Sequence, residues 1–411
     1  MALRPVAARE RAICEASVVP PSNRMRVVSD PDTCGTVVPW LSIIGIGEDR
    51  LEALAPASRA ALDKAEVVFG APRHLALAGL ELSPKATPWP VPFSIEAVLA
   101  LRGRKVAVLA SGDPFWHGAG GSLCAHLVPG EWRAYPAPST FSWVAARMGW
   151  RLEETPCLGL HAAPFERLVP VLRTGGRAIC LLRDGKAPEE LARWLNERGF
   201  GSSRLHIMES LGGVNERIRT AQADSFDLAD IQTPVAVALS VCGEGPDAAG
   251  LPVGFGLPDD LFAHDGQITK RPMRALTLSA LAPRPNAVLW DLGAGSGSIS
   301  VEWCLAGGQA CAVERDLERC TRIRANAARF GVEHRLSVLQ ADTAESFPHR
   351  LPEAVFIGGG ANEALLERLW AQVPMRAPIV IHAAPLETET LLATWHARAG
   401  GILSRLVLAA P

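Results

Sequence analysis

Residues 288–297, Val-Leu-Trp-Asp-Leu-Gly-Ala-Gly-Ser-Gly, constrain the fold of this chain more than any other stretch of similar length. An apolar strand delivers Asp291, and Gly293, Gly295 and Gly297 then turn the backbone into a helix beginning near Ser298. Glycine suits such a turn because it tolerates left-handed φ and leaves amide groups bare against a ligand. Spacing narrows the ligand class. A dinucleotide site expects its third glycine three residues after the second, a position held here by Ser298, whereas Gly-x-Gly-x-Gly is the pattern of S-adenosylmethionine sites. The run, with Ala294 and Ser296 between its glycines, points to methyl transfer rather than hydride transfer.

Three further strands are expected, each ending in residues suited to a site. Ala310–Val313 ends at Glu314, 19 positions after Gly295, where a carboxylate accepts both ribose hydroxyls. Leu336–Gln340 leads to Asp342 and Thr343, a polar edge for the adenine amino group, although Asp342 is also a good N-cap for the segment that follows. Ala354–Ile357 ends in Gly358, Gly359 and Gly360, which either form a plain loop or leave room for a substrate beside the methyl donor.

The 411 residues are 48% hydrophobic and 20% charged, enough for two or three globular domains with substantial cores. Basic and acidic side chains nearly cancel, at 41 against 43, and no basic tract marks a nucleic-acid partner. Nine cysteines lie scattered without a Cys-x-x-Cys pair, which predicts no disulfide framework, no metal site and a reducing cytoplasm. No apolar run reaches membrane-span length, and Arg4, Arg9, Glu10 and Arg11 interrupt any secretory core near the start. Residues 1–39, with Pro20, Pro21, Pro31 and Pro39, are expected to form a poorly ordered leader, with Met25 as an alternative start. Glycines and prolines between 243 and 263 predict an interdomain linker, leaving domains at 40–242 and 264–411.

The first domain alternates strand and helix. Strands are expected at 40–46, 66–70, 105–110, 178–182, 204–208 and 235–239, with a helix over 54–65, enough for two small sheets. Its polar loops form an ordered set: Gly-Ile-Gly-Glu-Asp at 45–49, Gly-Ala-Pro-Arg-His at 70–74, Ser-Gly-Asp-Pro-Phe-Trp at 111–116, Pro-Ser-Thr-Phe-Ser at 138–142 and Leu-Gly-Gly-Val-Asn-Glu-Arg-Ile at 211–218. Together these resemble the tetrapyrrole methylase family. The resemblance implies two αβα lobes with S-adenosylmethionine in the cleft between them, and cofactor contacts at Gly45, Gly47, Gly112, Asp113, Ser139 and Thr140.

A Rossmann-like class I methyltransferase half follows, and in this order the chain resembles the bifunctional precorrin-6B C5,15-methyltransferases (decarboxylating) of cobalamin synthesis, across about residues 40–405. The motif His264-Asp265-Gly266-Gln267-Ile268-Thr269-Lys270-Arg271 belongs to that resemblance. It implies one S-adenosylmethionine site per domain. The first half would methylate carbon 5 of the macrocycle; the second would methylate carbon 15 and remove the carbon-12 acetate as carbon dioxide.

Methyl transfer from a sulfonium needs mainly alignment in a water-poor cleft, and the macrocycle supplies its own nucleophilic carbon. A substrate with many carboxylates calls for cations, so Lys270, Arg271 and Arg274 are candidate anchors, unless they form a solvated basic first turn. Thr269 either meets the cofactor or caps the helix, and His264 is a weak candidate acid or base against the alternative of a surface residue. The resemblance further implies a homo-oligomer. Its members usually carry a longer tail than Leu406–Pro411, and a shortened end either exposes the edge of the second sheet or removes part of the substrate wall, so cofactor binding is expected to survive while turnover is in question. The alternatives are a methyltransferase of another small molecule or RNA, or a non-catalytic binder of the cofactor.

Overall fold

Alternation along the strand Val288–Leu292 shows how the second domain is layered. Val288, Trp290 and Leu292 enter one hydrophobic cluster with Val355, Leu369 and Trp395, while Leu289 enters another with Leu278, Trp303 and Ile323. A strand whose successive side chains are buried on opposite faces needs helices on both sides, which is the doubly wound arrangement. The structure, a computed structural model, describes residues 2–3, 38–343, 346–383 and 385–406.

Strands of the second domain run in the order Leu336–Gln340, Gln309–Glu314, Val288–Leu292, Ala354–Ile357 and Ile379–Ile381, all parallel, and continue through Ala2–Leu3 to Ile402–Leu403. Ala2–Leu3 pairs antiparallel with both of its neighbours. That part of the expected leader is therefore a strand; Met1 and residues 4–37 lie outside the described residues.

The first domain holds two five-stranded sheets, as expected. One is parallel, in the order Ala86–Pro88, Val67–Gly70, Val106–Ser111, Leu41–Ile46 and Trp132–Tyr135. Leu41 and Ile43 pack on one face of it, and Ile44 and Ile46 on the other. The second sheet is mixed: Arg217–Gln222, Arg204–Glu209, Val235–Ser240 and Arg177–Leu182 are antiparallel neighbours, and Cys157–Gly159 adds a parallel edge. The expected helix over 54–65 is observed as Pro56–Asp63, with Pro56 in its first turn.

The expected linker is corrected. The chain divides between Ala248 and Ala249, and Leu257 and Phe262 are buried in the core of the second domain despite the surrounding glycines and prolines. Glu302 holds this segment by accepting the amides of Gly256 at 2.7 Å and Leu257 at 3.0 Å. Pro164–Leu172 also groups with the second body, where Arg167 pairs with Glu333 at 3.3 Å, so the first domain is not continuous over 40–242.

Candidate functional site

The glycine run of the second domain takes the conformation that its composition demands. Gly293, Gly295 and Gly297 have φ of 71°, 58° and 74°, the left-handed region that a side chain disfavours, and the helix Ser298–Leu305 follows directly. Their roles then separate. A Cβ on Gly297 would stand 2.8 Å from Ile323, so this glycine serves helix packing, whereas Gly293, Ala294 and Gly295 line a cavity of about 1100 Å³ at the carboxyl edge of the sheet. Pockets for drug-sized ligands span roughly 300–1,000 Å³, so this one exceeds a cofactor's needs and has room for part of a second reactant.

Thr269, Glu314, Asp342, Thr343, Gly358, Gly359 and Gly360 line the same cavity. Glu314 is nearly buried, and its two carboxylate oxygens accept the amides of Gly295 at 2.9 Å and Asp316 at 3.1 Å. It is thereby oriented with lone pairs to spare. Gly358 and Gly293 approach closely, since a Cβ on Gly358 would lie 3.0 Å from the carbonyl oxygen of Gly293. Thr269 does not cap the following helix, because Lys270 is the N-cap residue and makes no side-chain cap.

Other expected contacts fall elsewhere. Asp291 is fully buried behind the loop, where it accepts the Ser300 hydroxyl at 2.6 Å, and burial pushes its carboxyl up to about 7. Ser296 is buried as well, so Asp291, Ser296 and Gly297 shape the loop from behind instead of lining the cavity.

Arg274, expected as a substrate anchor, is 0% exposed. It donates to Glu302 at 2.5 Å and Asp259 at 2.9 Å and to the carbonyls of Thr269 and Leu257, while Phe262 lies under its guanidinium. All three guanidinium nitrogens are engaged inside the domain, which removes it as an anchor. Lys270 and Arg271 are exposed and stand outside the cavity lining. His264 accepts the amide of Gly266 at 3.0 Å in a surface turn, also outside that lining. The cations at the cavity are Arg315, Arg319 and Arg405, none of them singled out by the sequence. His382 was missed too; it follows the strand Ile379–Ile381 and lines the cavity.

In the first domain the motif loops converge on the carboxyl edge of the parallel sheet. A Cβ on Gly45 would stand 1.8 Å from the Gly112 carbonyl oxygen, and one on Gly112 would stand 2.8 Å from the Ser139 Cα. Ser139 caps the helix Thr140–Met148 by accepting the Ser142 amide at 3.1 Å, and Asp113 closes its own turn by accepting the Phe115 amide at 2.9 Å. Gly213, from the motif over 211–218, packs on Glu48 beside Gly47. A side-chain network joins three of the loops: Glu48 pairs with Arg73, whose guanidinium donates to the Ser111 hydroxyl at 2.8 Å, and His74 Nε2 lies 2.8 Å from that hydroxyl. Burial, with Arg73 adjacent, pushes the His74 imidazolium down to about 4, so the ring is neutral. The sequence placed these four residues inside motifs without giving them roles.

The edge of the second domain suits an adenosyl cofactor, because a bare glycine turn, an oriented carboxylate and a large cavity coincide there. Comparison with known proteins agrees with this reading. The family model for tetrapyrrole (corrin/porphyrin) methylases matches residues 41–227, and that for the precorrin methyltransferase domain matches residues 260–410. A precorrin-6Y C(5,15)-methyltransferase [decarboxylating] from Sinorhizobium sp is 41% identical over 379 residues, covering 91% of this chain and 91% of its own. The chain belongs to the precorrin-6Y C(5,15)-methyltransferase (decarboxylating) family.

Two relatives of that family correspond to parts of the chain. A cobalt-precorrin-7 C(5)-methyltransferase from Salmonella typhimurium is 30% identical over 185 residues, 43% of this chain and 88% of its own. A probable cobalt-precorrin-6B C(15)-methyltransferase (decarboxylating) from Pyrobaculum aerophilum is 39% identical over 115 residues, 26% of this chain and 58% of its own. Among the described residues no helix is long and apolar enough to cross a membrane, no His, Cys, Asp or Glu cluster could hold a metal ion, and the seven cysteines are free.

Proposed function

We propose that this chain converts precorrin-6B to precorrin-8, with one S-adenosylmethionine site in each domain. The second domain methylates carbon 15 and removes the carbon-12 acetate, and the first methylates carbon 5. The observation that carries this reading is the cavity of the second domain, where Glu314, the glycine turn and Gly358–Gly360 lie along one sheet edge. When bound, the cofactor's sulfonium supplies an electrophilic methyl group. Glu314 receives the ribose hydroxyls, the turn accommodates the methionine portion, and Asp342 and Thr343 meet the adenine edge. Gly358–Gly360 leave space for the macrocycle, and Arg315 and Arg405 replace Arg274 as anchors for its carboxylates.

The names of the two shorter relatives support an order of events. The C(15) enzyme is named for precorrin-6B and the C(5) enzyme for precorrin-7, which favours action by the second domain first and the first domain on its product. The free thiols favour a reducing cytoplasm, and a homo-oligomer is proposed, to be tested by light scattering. Mass spectrometry of the tetrapyrrole after incubation with precorrin-6B and S-adenosylmethionine tests the function. Gain of two methyl groups with loss of one carbon dioxide supports it; unchanged tetrapyrrole with cofactor bound overturns it.

A further inference from the structure

Residues at or just past the ends of neighbouring strands form a row across the edge of the second sheet: Glu314, then Gly293, then Gly358, then His382. With the ribose at Glu314, the reacting end of the site lies toward Gly358 and His382. The His382 amide donates to the Ile357 carbonyl at 3.0 Å, which fixes its backbone beside Gly358. Its ring is fixed as well. Nε2 lies 2.8 Å from the Thr277 hydroxyl, and the imidazole stands edge-on to Phe356 with centroids 4.9 Å apart.

Thr277 decides which nitrogen carries the proton. Its buried hydroxyl donates its single hydrogen to the Met273 carbonyl at 2.7 Å, so toward His382 it can only accept. Nε2 is therefore the N–H, and Nδ1 carries the lone pair in a ring that lines the cavity. Burial pushes the His382 imidazolium down to about 4, so the ring rests neutral at neutral pH. Of the carboxylates lining the cavity, Glu389 is engaged by Arg405 at 3.0 Å, and Glu314 and Asp342 belong to the strands on the far side of the glycine turn.

We propose that His382 is the proton-transfer residue of the second site, accepting the proton of the methylated meso carbon at Nδ1 and returning it to the side-chain carbon that loses carbon dioxide. The inference rests on the function proposed above. Methylation forms a carbon–carbon bond at the meso carbon and breaks the methyl–sulfur bond, whose electron pair stays on sulfur. The meso carbon then loses its hydrogen to Nδ1 as a proton, and the C–H pair returns to the macrocycle. Decarboxylation breaks the bond to the carboxylate carbon and leaves its pair in the conjugated system; the side-chain carbon then takes a proton. One step releases a proton and the other consumes one, so a single imidazole closes the balance. A ring that holds its proton weakly passes it on readily, and positioned proton transfer contributes about 10²–10⁴-fold to rate.

The test uses the full chain with precorrin-6B and S-adenosylmethionine, comparing wild type, His382→Gln and His382→Ala. Glutamine keeps an N–H for Thr277 but has no basic nitrogen. The expected result is a fall of at least about 10²-fold in kcat, in carbon-15 methylation and carbon dioxide release together. KM and calorimetric cofactor affinity should stay unchanged, and added imidazole should restore part of the alanine variant's rate. If wild type turns over and His382→Gln keeps its rate within about threefold, or loses only one of the two steps, the proposal is overturned. The same holds if the variants lose cofactor affinity without imidazole rescue, which marks a structural role. Failure of wild type itself would overturn the proposed function instead.

Discussion

The carboxylate of Glu314 accepts the amide proton of Gly295 at 2.9 Å, tying the end of one strand to the turn that follows its neighbour. One side chain thus fixes the glycine turn and faces the proposed ribose position. Replacing Glu314 with Ala should weaken cofactor binding at the second site by at least about tenfold, since hydrogen bonds to a charged group contribute about 1.5–3 kcal/mol each. Calorimetry should show the stronger loss confined to one of the two proposed sites.

Arg274 and Glu302 form a buried pair, 0% and 3% exposed. Removing one partner of such a pair typically costs about 3–5 kcal/mol, because the remaining charge is left buried. Arg274→Leu should therefore lower the urea midpoint of the second domain while leaving the first domain's transition in place. A change in substrate KM with unaltered stability would restore Arg274 as an anchor.

Asp291 gives a pH signature. Burial raises its carboxyl from 3.8 to about 7, with the nearby Glu314 adding to the rise. The folded state thus holds a proton more tightly than the unfolded chain. The associated stability is fully present below about pH 4 and is lost as pH rises through about 7, amounting to a few kcal/mol. Thermal unfolding of Asp291→Asn should lose this decline between pH 5 and 8 and exceed wild type at pH 8.

Gly45 admits no side chain, because its Cβ would meet a backbone oxygen at 1.8 Å, whereas a Cβ on Gly47 meets only the movable carboxylate of Asp49 at 2.6 Å. Gly45→Ala should cost the first domain about 1–3 kcal/mol or more, and Gly47→Ala much less. The difference in their thermal midpoints checks this.

Local chemistry made much of this legible. Glycine spacing at 293–297 gave the turn, and apolar runs ending in Glu314 and Gly358 gave the sheet edge. Placement across long separations was not legible. Arg274 reads as a substrate anchor or a solvated residue until Glu302, 28 positions away, is seen to accept its Nε–H inside the core. Leu257 and Phe262 were hidden among turn residues, and Trp132–Tyr135 and Cys157–Gly159 are edge strands of four and three residues, too short for periodicity to mark. His382 lies one residue beyond the three-residue strand Ile379–Ile381, and its meaning comes from Thr277, 105 positions earlier.

The division of labour between the domains is tested most directly by mass spectrometry of precorrin-6B products from wild type, Gly47→Arg and Gly295→Arg. Wild type should add two methyl groups and release one carbon dioxide. Gly47→Arg should stop at a tetrapyrrole with one added methyl and the acetate already decarboxylated, and Gly295→Arg should leave precorrin-6B unchanged. Carbon dioxide release by Gly295→Arg, or its loss in Gly47→Arg, would contradict the account.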